Sequence, residues 1–271
     1  MAFDEHYHSL TVEQQGGIVM LKGRPRENSP DGLMSAVDLT NPMRLVLPYT
    51  KSLFAPVFFQ PHPKRILTVG LGGGAFQRVC AAGFPGALVQ TIELDLEVVK
   101  LAILKMGFNP SENCPVSVYD GRKWIEEDRG PLRWDWIVLD VFKGLERPRA
   151  LRTREFYRAC AGRMQPDGVL CTNLFSSASD YGEDLRTLAA VFPQVALFGA
   201  ENYGSGNVIA CAVKKLLPPM RNQSLWPRTP ALSNDAFAAA GVDFDLLRCE
   251  LLPWPSAVVD QAQVLTDPVL A

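Results

Sequence analysis

The chain has 271 residues with 27 Lys and Arg against 29 Asp and Glu, a formal net charge of −2, and so lacks the polybasic coat that would hold nucleic acid. Hydrophobic residues make up 47% and charged residues 21%, the balance of a globular protein with a full core, which excludes general disorder. The longest apolar stretch, residues 45–59, is interrupted by Pro48, Lys51 and Pro56, which excludes a membrane span.

Residues 1–10 carry Asp4, Glu5, His6 and His8 where a secretory signal needs a basic start and an apolar run, so a cytoplasmic protein is expected. Residues 8–14 and 18–22 flank Gln15-Gly16-Gly17 and read as a hairpin of a small β-rich N-terminal domain over residues 1–60. From residue 61 to 213, short β-branched runs alternate with amphipathic stretches, the pattern of a parallel sheet covered by helices. Seven strands are predicted, at 65–69, 89–93, 116–119, 136–139, 168–174, 194–198 and 206–213. Helices are expected at 75–82, 96–106, 122–128, 153–164 and 180–192. In the second of these, Leu96, Val99, Ala102 and Ile103 recur at helical spacing as a buried face, with Asp95 placed to cap it. The last two strands are joined only by residues 199–205, too short for a crossover helix, so they form an antiparallel hairpin. Six mostly parallel strands plus a final antiparallel one is the Rossmann-like arrangement of S-adenosylmethionine-dependent transferases. Residues 214–271 then read as a Pro-rich, basic linker followed by a short cap over 235–251. The six cysteines (Cys80, Cys114, Cys160, Cys171, Cys211, Cys249) contain no CxxC and only three histidines accompany them, which points to reduced core thiols and no metal.

The strongest local signal is Val69-Gly70-Leu71-Gly72-Gly73-Gly74, between an apolar strand and a helix, where glycines let the backbone turn tightly against a nucleotide. Glu93 ends the next strand and is placed to accept both ribose hydroxyls; the alternative is a tight turn with an incidental acid. Asp120-Gly121 ends the third strand, either as an acceptor for an adenine amino group or as a helix N-cap. Asp140 ends the fourth, at the same carboxyl edge of the sheet. Tyr49, Tyr181, Tyr203 and Trp124 are aromatic candidates for the acceptor pocket, although aromatic residues are more often core, and His62 reads as an exposed loop residue.

Taken in order, RILTVGLGGGAFQRV, IELDLEVV, YDGRKWI, WDWIVLDVF, LRTREFYRAC and MQPDGVLCTNL resemble the spermidine synthase family. NPMRLVLPYTKSLFAP resembles the helix that leads into its catalytic domain, and VLTDPVLA its closing LTD segment. The resemblance implies a β-rich N-terminal domain, a Rossmann-like catalytic domain, a homodimer, and a sulfonium donor, decarboxylated S-adenosylmethionine in true aminopropyltransferases. It assigns Glu93 to the ribose, Asp120 to the adenine, and the Gly70, Gly72, Gly73 and Gly74 loop to the donor.

Two departures matter. Where the family's glycine loop reads GGGDG, with an acid toward the donor's ammonium, this chain has Gly73. Where the family's second loop reads D-x-x-D, this chain has Asp140-Val141-Phe142-Lys143, so a cation replaces the second acid. Arg147, Arg149, Arg152, Arg154, Arg158 and Arg163 follow, a basic stretch suited to an anionic acceptor or simply a solvated helix face. The expectation is therefore an enzyme that binds S-adenosylmethionine and transfers a methyl group to a small acceptor, with Asp140 and Lys143 at the reacting centre. An aminopropyltransferase using the decarboxylated donor and a non-catalytic nucleotide-binding subunit are the alternatives.

Overall fold

The computed structural model describes residues 8–24, 26–28, 30–127, 130–144, 146–199, 206–215 and 235–268. The expected Tyr203, most of the 199–205 connection and most of the basic linker lie outside them.

The expected hairpin forms from β1 (Ser9–Gln15) and β2 (Ile18–Arg24), paired antiparallel. A third strand, β3 (Gly32–Asp38), completes this small sheet. It is not among the strands the pattern predicts. Its second half, Ser35 to Asp38, is buried throughout, and the polar ends of that stretch break the alternation that marks a half-buried strand.

The main sheet contains β4 (Arg65–Val69), β5 (Leu88–Glu93), β6 (Val116–Val118), β7 (Trp134–Leu139), β8 (Met164–Phe175), β9 (Gln194–Gly199), β10 (Asn207–Val213) and β11 (Leu251–Leu252). Their order is β11-β9-β10-β8-β7-β4-β5-β6. β4 to β8 run parallel, and β10 inserts antiparallel between β8 and β9 as the short connection requires. Among the described residues the sheet has eight strands rather than seven, because Leu251–Leu252 adds antiparallel to β9. Two residues are too few to show a period. Neighbouring residues of β7 point to opposite apolar layers, Trp136 and Val138 to one and Ile137 and Leu139 to the other, so both faces of the sheet are covered.

The helices are α1 (Tyr49–Ser52), α2 (Ala75–Gly83), α3 (Leu96–Lys105), α4 (Gly121–Glu126), α5 (Arg154–Arg163), α6 (Tyr181–Ala189), α7 (Asp235–Ala240), α8 (Phe244–Cys249) and α9 (Ser256–Val259). Asp95 caps α3 as expected, accepting the Glu97 N–H at 2.8 Å. The buried stripe of α3 is Val98, Val99 and Ala102, whereas Leu96 and Ile103 are exposed. Apolar residues run almost all round this helix, so periodicity alone does not select which stripe faces the sheet.

Residues 235–268 fold onto the main sheet rather than away from it. Phe237 of α7 packs edge-on against Phe54, Phe84 and Phe244, with ring centroids 5.2–5.5 Å apart. Leu265 donates its N–H to Thr187 Oγ1 at 2.9 Å and accepts from the Arg154 N–H at 2.8 Å. All six thiols are free; five are buried, but Cys249 is exposed, contrary to a wholly internal placement. Among the described residues no helix is long and apolar enough to cross a membrane, and no cluster of His, Cys, Asp and Glu is arranged to hold a metal.

Candidate functional site

The order β7-β4-β5-β6 sets four consecutive carboxyl ends side by side. An open α/β sheet forms its ligand crevice at such an edge. Gly70 leaves β4 with φ 98°, and a Cβ there would sit 2.3 Å from the Asp140 carbonyl oxygen, so only glycine fits. Gly72 and Gly74 also have positive φ, and Gly74 opens α2 against the ring of Phe108. The loop is tied from above by β3, where Ser35 Oγ accepts the Gly73 N–H at 2.9 Å.

Glu93 secures the same loop from β5. Its Oε2 accepts the Leu71 N–H at 2.9 Å and its Oε1 the Asp95 N–H at 3.0 Å. Burial raises its pKa, while the N–H donors of Asp95 and Leu71 act in the opposite direction. Each carboxylate oxygen retains a further lone pair, so this anchoring is compatible with accepting a ligand hydroxyl. Asp120 is the N-cap of α4, its Oδ1 accepting the Lys123 N–H at 2.8 Å. Gly121 lets α4 start directly against β4, because a Cβ there would meet Val69 Cγ1 at 2.4 Å. The residues read from the sequence as a nucleotide site thus converge: the glycine loop, Glu93, Asp120, Gly121 and Asp140 all lie on these four strand ends.

Asp140 is the most elaborated of them. Tyr49 of α1 donates its hydroxyl to Asp140 Oδ2 at 3.2 Å, and Asn173 of β8 donates Nδ2 to Oδ1 at 2.9 Å. Burial raises the Asp140 pKa, opposed by the Asn173 and Tyr49 hydrogen bonds and by the charge of Arg147. Burial and the neighbouring Asp140 charge hold Tyr49 protonated, well above its ordinary value. The result is a half-enclosed carboxylate able to take up a proton, next to a glycine loop.

Several sequence expectations are corrected here. Arg147 does not face an acceptor: its side chain is 6% exposed, pairs with Asp184 at 3.0 Å and donates to Thr172 Oγ1 at 2.8 Å. Arg152 is equally buried and joins Asp180, Glu183 and Asp184. Burial opposes Arg147's charge, yet Tyr157 and Asp184 hold it above its ordinary pKa. These two arginines brace α6 rather than supply a basic acceptor loop. Arg154 pairs with Glu155, Arg163 donates to the Ile125 carbonyl, and Arg158 is exposed. Lys143 is half-buried and its backbone bridges Glu146. The space at Gly73 is narrow: a Cβ would lie 2.6 Å from Met106 Cε and 2.9 Å from Val37 Cγ2. Of the aromatic candidates, Tyr49 reaches the site, Tyr181 is in the core and Trp124 lies against Tyr119. His62 is exposed. Ser35, Asn173 and Asn207 are the residues that motif reading misses; the one signal for Asn173 is a polar side chain interrupting the apolar run of β8.

This arrangement has the fold of the S-adenosylmethionine-dependent transferases. Compared with protein-family models, the chain matches none. A polyamine aminopropyltransferase of Vibrio vulnificus is 31% identical over 229 residues, 83% of this chain and 74% of that protein. A probable spermidine synthase from Corynebacterium glutamicum superimposes with a TM-score of 0.73 at 21% identity, covering 96% of this chain and 94% of that one. Human methyltransferase-like protein 13 in complex with SAH gives 0.55 at 24% identity, covering 76% and 91%. The chain belongs to the spermidine synthase-like family of polyamine aminopropyltransferases.

Proposed function

We propose that the protein transfers the aminopropyl group of decarboxylated S-adenosylmethionine to the amine of a small acceptor. The carrying observation is the partly buried Tyr49–Asp140–Asn173 cluster beside the glycine loop. In this reaction an amine nitrogen bonds the carbon next to the sulfonium, the carbon–sulfur bond breaks, methylthioadenosine departs, and the nitrogen must shed a proton. A carboxylate whose pKa is raised by burial is a suitable acceptor for that proton. Glu93, Asp120, Gly121 and the loop of Gly70, Gly72, Gly73 and Gly74 would hold the nucleoside, with Lys143 bordering the acceptor side. The similarity to the Vibrio vulnificus aminopropyltransferase supports the same choice.

Methyl transfer from S-adenosylmethionine is the second reading, favoured by Lys143 in place of a second acid. Its other support is weakened, because Gly73 is enclosed by Met106 and Val37 and says little about a donor carboxylate. A cytoplasmic homodimer is part of the proposal, and sedimentation at micromolar concentration tests the dimer. For the activity, the protein is mixed with decarboxylated S-adenosylmethionine and a panel of diamines, and methylthioadenosine is followed with time. Acceptor-dependent release that Asp140→Asn reduces at least a hundredfold supports the reading; release at the same rate from that variant removes Asp140 from it.

A further inference from the structure

Asp140 is held by a donor that is itself oriented. Asn173 gives its Nδ2 to Asp140 Oδ1 at 2.9 Å and receives, on Oδ1, the Nδ2 of Asn207 at 2.9 Å. Asn173 is 1% exposed and Asn207 5%, so bulk water does not replace either partner. The pairing follows from register: Asn207 opens β10 opposite Phe175 and Ile209 stands opposite Asn173, so the two amides are diagonal neighbours across the antiparallel strands. A primary amide has a donor end and an acceptor end that exchange on a half-turn. With Asn207 donating, one orientation of Asn173 satisfies both neighbours, its oxygen toward β10 and its NH2 toward Asp140.

We propose that Asn207 is a positioning residue of the active site, acting through Asn173 to keep Asp140 ionised and fixed. The inference rests on the reading of Asp140 as the proton acceptor. Among the described residues, the titratable and charged groups that act on Asp140 include Tyr49 from α1, which donates to it, and Arg147 from the segment after β7; β8 supplies the neutral Asn173. Against the burial that favours the protonated form, the amide donor is therefore one of three stabilising influences. Its loss changes when the carboxyl titrates, which a hydrogen bond serving only to join strands does not.

Asn207→Asp is nearly isosteric, but an ionised carboxylate there accepts instead of donating. Asn173 then has an acceptor on each side, so its NH2 is contested and its oxygen must face one of the two carboxylates. Asn207→Leu removes the donor without burying a charge and serves if the aspartate variant folds poorly. Asn207→Gln retains an amide donor. The readout is the titration midpoint of Asp140 by carbon-13 carboxyl NMR, assigned from the signal that Asp140→Asn removes, together with pH profiles of kcat and KM. The midpoint is expected to rise by about one unit in Asn207→Leu, roughly tenfold in the proton equilibrium, further in Asn207→Asp, and to return toward wild type in Asn207→Gln. The acid limb of kcat follows, with little change in acceptor KM. An unchanged midpoint in Asn207→Leu, even with a lowered melting temperature, overturns the proposal. Full turnover by Asp140→Asn overturns the reading of Asp140 instead, and the NMR midpoint distinguishes the two failures.

Discussion

A side chain at position 73 must displace Met106 or Val37, since its Cβ would lie 2.6 Å from one and 2.9 Å from the other. Gly73→Asp is therefore expected to destabilise the fold by about 1–3 kcal/mol through overpacking, before any effect on a ligand. Shortening the flexible neighbour should relieve it: urea unfolding of Gly73→Asp in a Met106→Ala background is expected to show less than the sum of the two separate losses. Strict additivity would mean that the two positions do not meet. Glu93 presents the opposite case, a charge whose two oxygens both work, on Leu71 and on Asp95. Glu93→Gln turns an NH2 toward one of these N–H groups, and the expected cost is about 1–3 kcal/mol for a buried unmet donor. At about 2–4 °C per kcal/mol for a chain of this size class, thermal melting detects that loss. Calorimetry with the nucleoside donor should show weaker binding in the same variant.

At the scale of elements, the C-terminal strap is the segment whose contribution is most separable. Arg122 of α4 forms a two-pronged pair with Asp267, and the Asp267 N–H is accepted by Glu155 Oε2 of α5 at 2.9 Å. The Arg122 hydrogen bond holds the Asp267 carboxyl below its ordinary pKa. A carboxylate depressed in the folded state contributes stability above its unfolded pKa and loses it as pH falls through the folded one. Asp267→Asn should consequently melt lower than wild type at neutral pH, with the gap closing below the ordinary carboxylate range; a gap independent of pH would contradict the pairing. The strap's sequence, VLTDPVLA, is recognisable by resemblance, but its docking partners are not, because Arg122, Glu155 and Thr187 are far from it in the chain. The same contrast runs through the molecule. Glu93, Asp120 and Asp140 are legible as acids that terminate apolar runs, and the loop from Gly70 to Gly74 by its spacing. β3 and β11 are hidden by burial of polar residues and by brevity. Arg147 looks like an exposed cation in the sequence because its counter-ion, Asp184, lies on another element.

For the whole molecule, buried charge joins the elements around the site. Arg147 after β7, Arg152 before α5 and Asp184 on α6 meet in one cluster, with both Asp184 contacts at 3.0 Å. Removing one partner strands the others, so Asp184→Ala is expected to cost about 3–5 kcal/mol, measured by denaturant unfolding. Loss of less than about 1 kcal/mol would mean that water reaches the cluster. This bracing holds the segment that leads from Asp140, the proposed proton acceptor, while Asn207 of β10 bonds its amide partner Asn173 from the other side. This support is proposed to serve aminopropyl transfer. The most direct measurement offers the protein equal amounts of S-adenosylmethionine and its decarboxylated form with a diamine acceptor, and identifies the product by mass spectrometry. The expected product is an acceptor enlarged by one aminopropyl group, with released methylthioadenosine; a methylated acceptor with released S-adenosylhomocysteine, and no aminopropyl product, would rule out aminopropyl transfer.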